Sequence, residues 1–289
     1  MDALTISPFV LLLIAVLGLW VHRAVWVVAL IAAVALGIYT GALGDLAGAW
    51  IAICALLAWG YAQARARATT HAGRVLQLVA GVAFFGYTLV MALPLLPGFH
   101  RVELVPAQVL SEGAVPYALA VGFPKVVAGI LILGLINPVL VSPFGLARVA
   151  MNALPVFLVT TVLVIVCALA LGYTRFGAHW HELFIPWAVV NLFSTCLGEE
   201  AFFRGFVQRE LGTAGPNRAL WGGLALVVGA VLFGLVHYPG GVSYVIAGVI
   251  AGLGYGLAFL RTQRIEAAML VHFGVNAVHF LLFVYPRPA

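Results

Sequence analysis

The sequence predicts an all-α, polytopic transmembrane helical bundle of about eight to ten spans. Of its 289 residues, 64% are apolar and only 8% are charged, and the mean hydropathy is +1.15. Soluble domains carry about 25% charged residues, so these charges cannot cover a water-facing surface of this size. The composition therefore excludes a soluble or nucleic-acid-binding protein, although the net charge is +5. The functional site must lie in the membrane region.

Charges, prolines and glycine clusters divide the chain into ten apolar segments, each near the roughly 20 residues that a transmembrane helix needs. The predicted spans are residues 8–22, 24–42, 46–64, 75–97, 114–141, 153–173, 185–206, 219–238, 243–260 and 266–285. Lys125 follows Pro124 inside the fifth span. A lysine at this position indicates either a polar cavity or a misplaced boundary.

Arginines are distributed unevenly between the two sets of connections. One set contains nine: Arg23, Arg65, Arg67, Arg74, Arg148, Arg209, Arg218, Arg261 and Arg264. The other set contains three: Arg101, Arg175 and Arg287. The positive-inside rule places the first face in the cytoplasm and both chain ends on the far side.

Ionisable residues inside predicted spans concentrate in the last hundred residues, where each is a functional candidate because burial in lipid is costly. Glu200 and Arg204 are four residues apart, so they share a helical face and are expected to form an ion pair. Glu199 is rotated by about 100° from Glu200 and cannot use the same arginine equally well. One carboxylate is thus neutralised, and the other is available as a general base for water.

Two further groupings follow along the chain. His272 and Asn276 share a helical face and present an imidazole and an amide, which are groups that can donate hydrogen bonds to a developing oxyanion. His237 ends an apolar helix, and Phe233 lies one turn before it and is expected to pack against it.

Taken in order, Glu-Glu-x-x-x-Arg, Phe-x-x-x-His and His-x-x-x-Asn in successive apolar helices resemble the three motifs of the CPBP family. This family comprises the type II CAAX prenyl endopeptidases and their prokaryotic relatives, also called the ABI family. The resemblance covers residues 186–283, so we expect N-terminal transmembrane helices over 1–182 and a catalytic membrane core over 183–289.

The resemblance implies a glutamate-dependent intramembrane endopeptidase. It implies that Glu199 activates the attacking water with help from His237, and that His272 and Asn276 stabilise the oxyanion. Glu200 and Arg204 would support the site. The expected substrate is a membrane-associated, tail-anchored or prenylated-type protein, and the expected location is a prokaryotic inner membrane. No cofactor and no nucleic-acid partner are expected.

Two alternatives stay open. A zinc-dependent variant could use Glu199, Glu200, His237 and His272, because carboxylate and imidazole groups both bind zinc. A non-catalytic membrane protein, acting in bacteriocin self-immunity or proton-coupled transport, could also bury such residues.

The predicted boundaries conflict with a shared site. They place Glu199 and His272 about 9 Å from the cytoplasmic end of their helices, and His237 near the opposite side. We favour the three motifs over the hydropathy boundaries, which are less reliable. The eighth span must then begin deeper, tilt strongly or be broken, or the number of crossings near it must differ from the predicted one.

Overall fold

The computed structural model describes residues 3–93, 95–137, 139 and 143–289. Within these parts the chain forms two compact units, Met1–Leu104 with Ala120–Val139, and Val105–Leu119 with Leu140–Ala289. The boundary between the two predicted domains, at residues 182 and 183, stays a prediction.

The first unit is built mainly of five helices. They are α1 (Ala3–Gly18), α2 (Arg23–Tyr39), α3 (Ala47–Ala66), α4 (His71–Ala92) and α5 (Phe123–Leu131), which continues in a π-helical turn at Ile132–Ile136. α1 packs on α2, α3 packs on α4, and α5 contacts α1, α3 and α4. The buried Phe123 ring lies 5.3 Å from the Phe9 ring, so the first turn of α5 is anchored in the apolar interior.

The fifth predicted span was partly wrong. Its beginning forms a β-strand, β2 (Tyr117–Val121), which pairs with β1 (Val102–Gln108), and the helix begins only at Phe123. Gly122 in extended backbone ends the strand, and Pro124 in the first turn suits a helix start because it has no amide hydrogen to leave unpaired. Lys125 therefore lies in the first turn of α5. Residue 94 of the fourth predicted span and residues 138, 140 and 141 of the fifth lie outside the described residues.

The second unit contains five long helical segments. They are α6 (Pro143–Ala170), α7 (residues 184–213), α8 (Arg218–Leu235), α9 (Val242–Thr262) and α10 (Ile265–Leu282). α7 is an unbroken run of α-helical and π-helical segments: Phe184–Val190, Asn191–Cys196, Leu197–Glu200, Ala201–Gln208 and Arg209–Thr213. α6 packs on α9 and α10, α8 packs on α9, and α7 contacts α8 and α10.

The prediction of an all-α polytopic bundle is confirmed. Among the described residues, six helices are long and apolar enough to cross a membrane: Ala47–Ala66, His71–Ala92, Gly145–Ala170, Arg218–Leu235, Val242–Thr262 and Ile265–Leu282. Shorter apolar helices cover Leu4–Gly18, Arg23–Tyr39 and Phe123–Ile136. Large apolar side chains on α6, including Leu158, Val162 and Val166, are exposed, as expected of a surface that faces lipid. The chain is a multi-pass integral membrane protein.

Small residues bring α8 and α9 close together. A Cβ atom added at Gly252 would lie 2.9 Å from the Ala230 Cα atom, and one added at Gly248 would lie 3.1 Å from the Gly234 Cα atom. Lipid supplies no hydrophobic drive between helices, so close packing of small residues is what stabilises such pairs in membranes.

We expect Gly252→Ala to destabilise the protein by about 1–3 kcal/mol, because the added methyl group overpacks the contact with Ala230. Thermal unfolding in detergent measures the loss. Gly223→Ala is the matched control, since no atom lies within 4 Å of an added Cβ there. A Gly252→Ala protein as stable as the Gly223→Ala protein would contradict the proposed packing of α8 on α9.

Candidate active site

The centre of the second unit holds the predicted ion pair, now with a third partner. Arg204 Nη1 donates to Glu200 Oε1 at 3.0 Å, and both side chains are fully buried, which confirms the pair predicted from their spacing. His272 Nδ1 lies 2.7 Å from the same oxygen. A carboxylate oxygen only accepts, so His272 donates through Nδ1. Glu200 thereby fixes both the rotamer and the tautomer of this imidazole.

Arg204 is also held by the backbone of α9. Its Nη2 donates to the Gly252 carbonyl at 2.9 Å, and one turn later Gln208 Nε2 donates to the Gly256 carbonyl, also at 2.9 Å. The guanidinium lies 4.6 Å from the Phe233 ring centroid and 5.4 Å from that of Tyr255. A buried charge is tolerated only when it is paired and hydrogen-bonded. Arg204 meets this requirement through Nη1 and Nη2, whereas its buried Nε has no hydrogen-bond partner among the described residues.

Aromatic side chains hold the His272 imidazole in place, and together with it they form one wall of the site. The His272 ring stacks on Tyr255 with centroids 4.4 Å apart and an interplanar angle of 16°, and it meets Phe233 edge-on at 5.6 Å. Packing on two sides and the hydrogen bond to Glu200 leave His272 little rotational freedom. The wall is therefore preorganised.

A cavity of ≈ 290 Å³ opens in front of this wall. Four of the six predicted site residues line it: Glu199, His237, His272 and Asn276. The other two, Glu200 and Arg204, lie behind His272 and do not line the cavity. The structure thus separates the two adjacent glutamates into a half-buried one at the cavity and a fully buried one in the ion pair.

His237 is oriented by its own helix. Its Nδ1 lies 2.6 Å from the Phe233 carbonyl oxygen, so Nδ1 carries the proton and Nε2 is the acceptor nitrogen of the neutral ring. The Phe233 ring packs at 4.8 Å from the imidazole, which confirms the predicted contact. The Tyr244 ring meets the other side edge-on at 4.8 Å.

The shared depth of Glu199 and His237 follows from the register of α7 and α8. The two helices run antiparallel, with Gly212 beside Ala225, Gln208 beside Gly229, and the Phe203 ring 5.3 Å from that of Phe233. Extending this series by one turn would place Glu199 beside His237, and both residues line the same cavity.

The depth expected from the hydropathy boundaries was wrong for Glu199. α7 continues past the predicted end at residue 206 to Thr213, so Glu199 lies near the middle of this helix. His237, two residues after α8 ends at Leu235, lines the same cavity.

Asn191 is a site residue that the sequence analysis missed. Asn276 Nδ2 donates to Asn191 Oδ1 at 3.2 Å, and the Cys196 thiol donates to the same oxygen at 3.3 Å. Asn191 and Thr195 both line the cavity. The available signal was spacing, since Asn191, Thr195 and Glu199 recur every four residues in an apolar helix.

The mouth of the cavity is aromatic. Tyr173 stacks on Tyr244 with centroids 4.9 Å apart, and Tyr117 meets Tyr285 edge-on at 5.1 Å. Trp187 Nε1 donates to the Tyr285 hydroxyl at 2.9 Å. Burial raises the pKa of the Tyr173 and Tyr285 phenols, so both stay neutral at physiological pH.

Two of the candidate zinc ligands contact each other, because His272 Nδ1 donates to Glu200 Oε1, and Arg204 Nη1 donates to the same oxygen. Over the described ranges, no group of three or more His, Cys, Asp or Glu side chains is arranged to hold a metal ion.

Fold and site together define a polytopic helical membrane protein with a carboxylate, two imidazoles and an amide around an intramembrane cavity. Within this class, residues 180–278 match the family model described as type II CAAX prenyl endopeptidase Rce1-like. The resemblance drawn from the three motifs is thereby confirmed, and the matched range contains all six predicted site residues. Comparisons with curated proteins and with solved structures gave no match.

We expect Arg204→Met to destabilise the protein by about 3–5 kcal/mol, because it leaves the Glu200 carboxylate buried without its cation. Unfolding in detergent measures this loss, and Arg218→Met, at an exposed position, is the matched control. The double variant Glu200→Leu with Arg204→Met should recover much of the stability. If the double variant is less stable than Arg204→Met alone, the unpaired charge is not the cause.

Proposed function

We propose that this protein is a membrane-embedded endopeptidase in which Glu199 activates the water that attacks a peptide bond. The observation that carries the proposal is that Glu199, His237, His272 and Asn276 line one cavity. The match to the Rce1-like endopeptidase family supports a protease-type hydrolase. The substrate class that we propose is a membrane-associated polypeptide, with anchors of the tail-anchored or prenylated type, in a prokaryotic inner membrane.

In the first step, the Glu199 carboxylate accepts a proton from water as the water oxygen bonds to the carbonyl carbon. The carbonyl oxygen then carries the negative charge. The C–N bond breaks when the leaving nitrogen receives the proton from Glu199, directly or through Nε2 of His237. The products are a carboxylate and an amine, so the step balances without a cofactor.

Asn276 is suited to stabilise the oxyanion. Its amide group has two N–H bonds, and one is used by Asn191 Oδ1, so the geometry of the amide is fixed while the second N–H can serve the substrate. Preorganised donors of this kind provide much of the rate enhancement in acyl transfer.

We propose that His272 contacts the oxyanion through Nε2, because it lines the cavity. Because Nδ1 donates to Glu200, the neutral ring presents only an acceptor at Nε2, and Nε2 becomes a donor when the ring gains a proton. We therefore assign Glu200 and Arg204 as positioning residues and His272 as a residue that contacts substrate.

The charges of the cavity favour an endopeptidase over a carboxypeptidase. Among the described residues that line the cavity there is no lysine or arginine. A substrate carboxylate beside Glu199 would thus meet a like charge with no lysine or arginine in the lining to offset it. A neutral peptide bond fits this lining.

We expect Glu199→Gln to lower kcat by about 10²–10⁴-fold, because the amide cannot accept the proton of water. Cleavage of quenched peptides by the purified protein in liposomes measures the effect. Glu182→Gln, at an exposed position, is the matched control and should retain full activity. Activity that persists in Glu199→Gln, or that a chelator abolishes, would contradict the metal-free glutamate mechanism.

We expect Asn276→Ala to lower kcat by about 10²–10³-fold, and Asn191→Ala to lower kcat by less with little change in KM, since Asn191 acts through Asn276. Asn152→Ala, on the exposed face of α6, is the control. A carrier of protons needs titratable groups and tolerates loss of this amide. Full function in Asn276→Ala would therefore favour proton-coupled transport over hydrolysis.

A further inference from the structure

The cavity opens at one end of the second unit. Six residues of its lining lie between the long helices or in the first turn of one of them: Tyr117, Tyr173, His237, Tyr244, Tyr285 and Pro286. These segments meet on one face, where the backbone amide of Val284 donates to the Arg175 carbonyl at 3.0 Å and that of Tyr285 donates to the Ser111 hydroxyl at 3.1 Å. The connections after Thr213 and Thr262, at the other end of the helices, contribute no residue to the lining.

The opposite end of the cavity is closed by a layer of buried side chains. Phe203, Arg204, Gln208, Phe233 and Tyr255 are all buried, with exposed fractions of 6% or less. Hydrogen bonds from Arg204 and Gln208 to α9 carbonyls fix this layer. A polypeptide approaching from that side would have to break a charged, hydrogen-bonded contact in a low dielectric, so the cavity is closed at this end.

Arginines identify the two faces of this unit. The closed end has five in or beside its connections: Arg148, Arg209, Arg218, Arg261 and Arg264. The face with the mouth has two, Arg175 and Arg287. The positive-inside rule places the arginine-rich closed end in the cytoplasm and the mouth on the other side.

The depth of the site determines what can enter. His272 lies ten residues before Leu282, where α10 ends, which is about 15 Å along the helix at 1.5 Å per residue. An extended chain covers about 3.3 Å per residue. About five residues of extended polypeptide must therefore enter before the scissile bond reaches His272.

We infer that the cavity takes its substrate from the extracytoplasmic side, as an extended polypeptide segment that enters about five residues deep. This inference rests on the proposed endopeptidase function. It narrows the proposed substrate class to exported segments or the extracytoplasmic flanks of membrane anchors. Prenylated-type tails that stay in the cytoplasm are excluded, because they meet the closed layer.

Thiol labelling tests the side of access without requiring catalysis. The three cysteines, Cys54, Cys167 and Cys196, are first replaced by alanine. Thr195→Cys then reports on the cavity, Ala178→Cys on the mouth face, and Thr213→Cys on the arginine-rich face. A membrane-impermeant charged maleimide is added to intact cells and, separately, to permeabilised cells.

We expect Thr195→Cys and Ala178→Cys to react in intact cells, and Thr213→Cys to react only after permeabilisation. If Thr195→Cys reacts only in permeabilised cells, as Thr213→Cys is expected to, the inference is overturned. Reaction of Thr213→Cys in intact cells, with Ala178→Cys protected, would invert the orientation and overturn it equally. So would a Thr195→Cys that stays unreactive while both reference cysteines label as expected.

An activity measurement separates this inference from the proposed function. A charged quenched peptide is added outside right-side-out cells and outside inverted vesicles, with Glu199→Gln as the baseline. Cleavage in right-side-out cells alone supports the inference. Cleavage in inverted vesicles alone overturns the side of access and leaves the endopeptidase function standing. If neither preparation cleaves the peptide while Thr195→Cys is labelled from outside, the endopeptidase function is contradicted and the inferred side of access is retained.

Discussion

The hydrogen bonds that converge on one oxygen atom of Glu200 organise the second unit. Arg204 and His272 both donate to Oε1, while no hydrogen-bond partner of Oε2 is present among the described residues. The pair is neutral overall when His272 is neutral, which suits a fully buried cluster. His272 is the member of this cluster that lines the cavity, whereas Glu200 and Arg204 are fully buried behind it. The cluster thus fixes the position of a cavity-lining imidazole through side chains that the cavity does not reach.

The alternation of helix types in α7 explains how one helix supplies both the cavity and the wall behind it. Asn191, Thr195 and Glu199 line the cavity at a spacing of four, while Glu200, Arg204 and Gln208 are buried at the same spacing. In an α-helix this spacing overshoots a full turn by about 40° per step. The wider π-helical turns at Asn191–Cys196 and Ala201–Gln208 turn less per residue and offset that drift.

Much of the fold and part of the site were predictable from the sequence. The ten apolar segments and the Glu200–Arg204 pair follow from composition and from the spacing of side chains on one helical face. β2 did not follow, because a short apolar run does not distinguish a strand from a helix. The partner of Asn276 was also missed, since its pairing with Asn191 joins residues that are distant in sequence.

The acceptors for Arg204 and Gln208 are main-chain carbonyls of Gly252 and Gly256. A carbonyl is present whichever amino acid occupies the position, so the chemistry of this contact leaves no trace in the identity of the accepting residue. What does constrain the identity is space, because an added Cβ at Gly256 would lie 2.7 Å from Gln208 Oε1. Searches for paired substitutions between α7 and α9 would therefore find little covariation at these two contacts. Among related sequences, we expect glycine to be required at the two α9 positions.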